Sequence, residues 1–201
     1  MGSKVSAIAL AALVALGLSF TASRPADAFP QKGTYKIDPR HTQVLFTIQH
    51  MGLSHFFGRF SNASGMLTFD PAALEASKLD AQIDVNSIDT HVAELDKELK
   101  EFFSTDKFPT ASFTATQIVK TGPNTGTVTG NLTLAGVTKP ITLNVTFDGG
   151  RTPPIPLQPY RLGFDATATI HRADFGLTHA MWSGMVSDDV TLQIECELEK
   201  Q

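Results

Sequence analysis

The stretch HTQVLFTIQHMGLSHFFGRF, His41 to Phe60, begins in strict alternation and then breaks it. Val44, Phe46 and Ile48 fall on one face, while Gln43, Thr47 and Gln49 fall on the other with Leu45. This predicts a β-strand with one apolar face. From Met51 to Arg59 the alternation lapses, Phe56 and Phe57 stand side by side, and the segment reads as a loop. Gly52 and Gly58 suit a turning backbone there. A loop runs over the surface, where two adjacent phenylalanines have no purpose unless they meet something apolar.

The same period of two recurs down the chain. Leu79, Ala81, Ile83 and Val85 share a face, as do Ala111, Phe113 and Ala115. Val128, Gly130, Leu132 and Leu134 follow, then Ile141, Leu143, Val145 and Phe147. Leu162, Phe164, Ala166, Ala168 and Ile170 form another row, and Val190, Leu192, Ile194, Cys196 and Leu198 the last. Strands of this kind are antiparallel, with one apolar face each. About eight of them suffice to close a barrel whose interior holds side chains or one small ligand. Closure also removes exposed edges. A β-sandwich shows the same alternation. Two segments break the pattern. HVAELDKELKEFF predicts a short helix with Val92, Leu95, Leu99 and Phe102 on one stripe, and DGGRTPPIPLQP predicts a Pro-rich loop.

The chain has 201 residues and a formal charge of −4. Lys4, then an uncharged apolar run from Val5 to Phe20, then Ala26-Asp27-Ala28 make a signal peptide with cleavage after Ala28. The run is shorter than a membrane span of roughly 20 residues. Residues 1–28 are therefore read as a leader and 29–201 as one domain, without a membrane span in the mature chain. Loss of two cations and one anion takes the charge to −5. No Lys/Arg cluster occurs, which argues against nucleic acid. With Cys196 the only cysteine, no intramolecular disulfide is available to an exported chain, and the fold must stand on its core.

No motif announces a reaction. His41 and His50 have opposite parity on one strand and cannot share a metal there. His55, His91, His171 and His179 show no zinc-site spacing. GxSxG is absent, Cys196 sits on an apolar strand face, and SDD (Ser187–Asp189) reads as a turn. Fourteen Phe against two Tyr and one Trp leave most aromatic surface without a polar handle. Phe56, Phe57, Phe102, Phe103, Phe108 and Phe175 lie outside the strand rows. They either plug barrel ends and seat the helix or line the mouth of an apolar lumen. Burying ~10 ligand methylenes yields on the order of 8 kcal/mol gross, enough to hold a long chain without a reactive group.

YKIDPRHTQVLFTIQHMGLSHFFGRF, SIDTH, FFSTDKFPTASF, GNLTLAGVTKPITLNVTF and HRADFGL…SDDVTLQIECE occur in that order. Together they resemble the YceI-like proteins, from Tyr35 to Glu199. The resemblance implies an all-β, eight-stranded antiparallel, lipocalin-like barrel with a short helix, exported to the periplasm. It also implies a polyisoprenoid or similar long amphiphile in the lumen, and it supplies no catalytic residues. One departure is ELDKELKE, with Glu98 where the family often carries a histidine.

The expected ligand contacts are Val44, Phe46, Ile48, His50, Phe56, Phe57, Phe102, Phe103, Phe113, Phe164 and Phe175, with Arg59 or Arg172 for a polar head. No cofactor or metal is expected. The ligand is an isoprenoid, a quinone or a fatty-acid-like lipid. Two other readings stay open: an enzyme acting on a lipid with His50 or His171 as base, and a quinone carrier for a membrane redox partner. Monomer and homodimer are both open.

Overall fold

The computed structural model describes residues 30–201 apart from 181 and 183. The leader read over residues 1–28 lies outside the described residues. Among them, no helix is long and apolar enough to cross a membrane.

Eleven strand segments form one closed antiparallel sheet. They are β1 (Gly33–Ile37), β2 (Gln43–His50), β3 (Ser54–Phe60), β4 (Ala63–Phe69), β5 (Lys78–Asp84), β6 (Ile88–Asp89), β7 (Thr110–Lys120), β8 (Thr125–Leu134), β9 (Val137–Arg151), β10 (Arg161–His171) and β11 (Val186–Lys200). The count reduces to eight barrel staves, because three staves are bent. β1 and β2 both pair with β11, at opposite ends of its length. β4 pairs with β1 and β3 with β2. β5 and β6 then pair with β4 and β3 respectively. Strands β7 to β11 follow as single staves, and β11 closes the ring on β1 with Ile37 opposite Leu198. Barrel rather than sandwich is the outcome. Each bend lets the wall curve while every apolar row stays inward.

The expected loop over Met51–Arg59 is a strand for most of its length. β3 pairs with β2 from His50 opposite Ser54 to Val44 opposite Phe60. The turn shrinks to Met51–Leu53, where Gly52 takes φ +69° and Met51 φ +52°. Adjacent phenylalanines are then no anomaly. Phe56 faces the lumen and Phe57 faces out, 64% exposed.

Helix α1 (Ala93–Phe102) lies across one end of the barrel. Its first turn is held by Asp96, which accepts hydrogen bonds from the Thr90 N–H at 2.8 Å and the Thr90 hydroxyl at 2.6 Å. Leu99 is buried, and Leu95, Phe102 and Phe103 pack with it against Phe46, Phe60 and Ile83. Val92, expected on this stripe, precedes the helix and is exposed. The far end is packed by Tyr35, Phe69, Tyr160, Leu162 and Leu198. Burial and the neighbouring Tyr160 push the Tyr35 phenol up to about 12, so it stays a hydrogen-bond donor, here to the Gln31 carbonyl at 2.6 Å.

Candidate functional site

The inward rows leave the barrel hollow. Two adjoining compartments occupy its interior, of about 320 and 500 Å³. Val44, Ile83, Ala111, Leu132 and Leu192 line both and form the waist between them. The smaller compartment is walled by Leu79, Phe113, Val128, Leu143, Phe164 and Ile194 among others, and ends near Lys120 and Asn124 of the β7–β8 turn. The larger lies under α1, walled by Phe46, Ile48, Phe56, Phe60, Phe102, Phe103 and Trp182. Its only charged or strongly polar side chains, among the described residues, are His50, Ser54, Glu98 and Arg172.

Aromatic rings run in sequence across the larger compartment. Phe46 meets Phe60 with centroids 5.7 Å apart, Phe60 meets Phe103 at 6.1 Å, and Phe103 meets Phe102 at 5.9 Å. Phe102 stacks on Trp182 at 5.5 Å and 11°. This chain ties the β2 wall to α1 and to the β10–β11 loop.

Arg172 is fixed by backbone oxygens. Its Nε donates to the Ser187 carbonyl at 3.0 Å and Nη1 to the Leu177 carbonyl at 2.6 Å. Among the described residues it forms no ion pair with a carboxylate. A guanidinium oriented by neutral acceptors at the edge of an apolar cavity keeps its charge available to an anion.

Arg59 is placed differently from its expected role. It lies on the outward parity of β3, opposite Leu45, and its guanidinium is 2.8 Å from Asp89 on the barrel exterior. Phe57 also faces out, so it does not line the lumen. Phe175 is 2% exposed in a short helical turn after β10, belongs to the buried cluster that also holds Ile170 and Leu177, and lines neither compartment. Of the two histidines considered as bases, His50 lines the larger compartment. His171 lies outside, 2.8 Å from Asp189, on the opposite parity to the inward Ile170. Cys196 borders the smaller compartment, and burial pushes its thiol up to about 11, so at neutral pH it is a thiol rather than a thiolate.

A charged network went unforeseen. Asp38, at the bend between β1 and β2, is 4% exposed. Its carboxylate accepts from Arg161 Nη1 at 2.8 Å and from the Arg40 N–H at 2.9 Å, and lies 2.7 Å from His41 Nδ1. Arg161 also reaches Glu197 at 2.9 Å and bonds Glu199. Burial alone pushes the Asp38 carboxyl up, but the bonds from His41, the Arg40 N–H and Arg161 outweigh it and hold the group well below the usual carboxylate range. Asp38, His41 and Glu197 are close enough together to share a cation, yet Arg161 already occupies the point where they converge.

A family model described as YceI-like domain matches residues 35–198. A "UPF0312 protein" of Pseudomonas aeruginosa is 39% identical over 192 residues, covering 94% of this chain and 95% of that one. "Protein YceI" of Salmonella arizonae is 42% identical over 167 residues, covering 81% of this chain and 85% of its own. Among solved structures, a polyisoprenoid binding domain from Saccharophagus degradans superposes with TM-score 0.66 at 16% identity, covering 85% of this chain and all of that one. At that identity the superposition speaks to the fold.

Proposed function

The chain belongs to the YceI-like family, and from that premise we propose that it is an exported, periplasmic binding protein that holds a polyisoprenoid or similar long amphiphile without transforming it. The observation that carries this reading is the apolar lumen, two adjoining compartments that share five lining residues, with Arg172, which forms no ion pair among the described residues, at the wider end. The tail lies along the barrel axis through the waist. The head rests among Arg172, His50 and Ser54, with Glu98 of α1 as an acceptor for a hydroxyl or amide. The leader pattern over residues 1–28 supports export. The ligand class agrees with that of the polyisoprenoid binding domain from Saccharophagus degradans, which shares the fold.

Trp182 supplies the assay. It is the only tryptophan of the chain, and it lines the larger compartment while stacked on Phe102. A chain entering this compartment displaces water from the indole and disturbs the stack. Titration of lipid-stripped protein with a polyprenyl phosphate is expected to give a saturable change in Trp182 emission. Flat emission, together with no lipid co-purifying in native mass spectrometry, defeats the reading.

The head-group placement gives a second expected result. Arg172→Gln removes a charge-assisted contact worth ~1.5 kcal/mol, so a polyprenyl phosphate should bind about tenfold more weakly. A neutral quinone should be nearly unaffected, and Arg59→Gln should change neither. Equal losses for phosphate and quinone place the head elsewhere.

A further inference from the structure

We infer that the end of the barrel formed by the β2–β3 turn and the β10–β11 loop docks on a lipid bilayer, so that the larger compartment opens toward the membrane. The inference rests on the lipid-holding reading, since a water-insoluble ligand needs a path between lumen and membrane that avoids open water. The two segments form one surface. The Met51 N–H donates to the Met185 carbonyl at 2.7 Å, and the Gln49 N–H donates to the Ser187 hydroxyl at 3.0 Å. Large apolar side chains stand on this surface without cover: Met51, Leu53 at 82% exposure and Met185, with Phe57 on the adjoining outer wall. His50 and Met185 also line the larger compartment, so the apolar tip is continuous with the lumen mouth.

Continuity with the lumen decides which end faces the lipid. The chain carries 20 Asp and Glu, yet none falls between Pro39 and Phe69, the span that contains the whole β2–β3 hairpin. The β10–β11 loop, in contrast, is flanked by acids, Asp174 on one side and Asp188 and Asp189 on the other, with Asp189 2.8 Å from His171. Arg172 stands in the mouth these segments frame. Glu98 enters that mouth from α1, on the remaining side.

The opposite end presents its own exposed pair, Ile155 and Leu157, in the β9–β10 loop. Beside it lies a groove of about 630 Å³ of mixed charge, where Asp148, Asp165, Glu195 and Glu197 stand with Arg151, Arg161 and His41. Burial, with Asp165 alongside, pushes the Asp148 carboxyl up, and the Asp165 hydrogen bond raises Glu195, as expected of crowded like charges. Ile155 and Leu157 line neither compartment of the lumen, whereas Met185 joins the apolar tip of the other end to the larger one. Exposed apolar side chains of both ends are thus separated by what surrounds them.

The test uses lipid-stripped full protein and sedimentation with vesicles of phosphatidylcholine and phosphatidylglycerol. The wild type should bind, and the double variant Met51→Gln/Leu53→Gln should bind about tenfold more weakly, because interfacial affinity follows the apolar area inserted. Ile155→Gln/Leu157→Gln at the other end should bind as the wild type does. Both pairs are solvent-exposed, and unchanged melting temperatures verify that each variant folds. Lipid uptake from detergent, followed by Trp182 emission, is measured separately and should be intact in Met51→Gln/Leu53→Gln. Equal losses in the two variants, or no vesicle binding by the wild type, overturns the docking assignment. Absent uptake from detergent by the wild type instead removes the holding reading, and the two failures are read on different instruments.

Discussion

Arg161→Met should destabilise the barrel by about 3 kcal/mol, the scale expected when one partner of a buried ion pair is removed and the other charge stays behind. For a domain of this size that corresponds to a fall in melting temperature of roughly 10 °C. The reason lies in where Asp38 sits. At the bend between β1 and β2 its backbone N–H donates to the Glu197 carbonyl at 2.9 Å, and the Thr42 hydroxyl reaches the same oxygen at 3.4 Å. The bend is where one stave changes from pairing with the C-terminal end of β11 to pairing with its N-terminal length. Without Arg161 the Asp38 carboxylate remains buried with only His41 and Arg40 to answer it.

The pH dependence follows from the direction of the Asp38 shift. A carboxyl held below its unfolded value of about 3.9 contributes stability that is complete above that pH and is lost as pH falls toward the folded value. The difference between wild type and Arg161→Met should therefore be constant from pH 7 to 5 and narrow below about pH 4. The double variant Asp38→Asn/Arg161→Met should regain part of the loss, because it leaves no buried charge. Denaturant melts across this range measure all three. A difference that persists unchanged at pH 3 would show that Arg161 acts through packing alone.

What the sequence disclosed depended on whether the signal was local. Rows such as Ile141, Leu143, Val145 and Phe147 place their own strand and its inward face, because side-chain direction repeats every second residue whatever the partner. Barrel closure is different. It depends on Ile37 meeting Leu198, a pairing that no local pattern announces. The β3 strand was hidden by Phe56 and Phe57, since alternation cannot say that the second of two phenylalanines is left in water. Val92 fitted the helical stripe by spacing, but the helix starts one residue after it. Asp38 and Arg161 are 123 residues apart, and the run IDPRH looks like a polar turn until β10 is laid beside it. Arg59 and Arg172 were equivalent as letters. Asp89 claims one, two carbonyls hold the other, and this distinction exists only in three dimensions.

Gly58→Ala should weaken binding of a long chain by roughly 100-fold while costing the ligand-free protein little. Gly58 stands directly opposite Phe46 across the β2–β3 ladder. The Phe46 ring lies flat over it, so a Cβ at position 58 would be 2.2 Å from the Phe46 Cζ and 2.6 Å from Cε1. Atoms cannot share that space, and the strand backbone is pinned by pairing along its length. The ring must therefore leave β3, and the free volume open to it is the larger compartment that it already lines. In a packed core such an insertion costs about 1–3 kcal/mol. Here the ring turns into a cavity, so folding should suffer less and the ligand should lose room. Exclusion of ~4 methylenes at ~0.8 kcal/mol each is about 3 kcal/mol, hence the expected factor. Shorter chains that stop before the waist should lose less. Because Phe46 is linked through Phe60, Phe103 and Phe102 to Trp182, the variant should also shift the tryptophan emission before any ligand is added. Phe46→Leu on the Gly58→Ala background removes the displaced ring and should restore long-chain affinity. If that pair binds no better than Gly58→Ala alone, the lost affinity arises from a distorted β3, and Gly58 does not set the bore of the lumen.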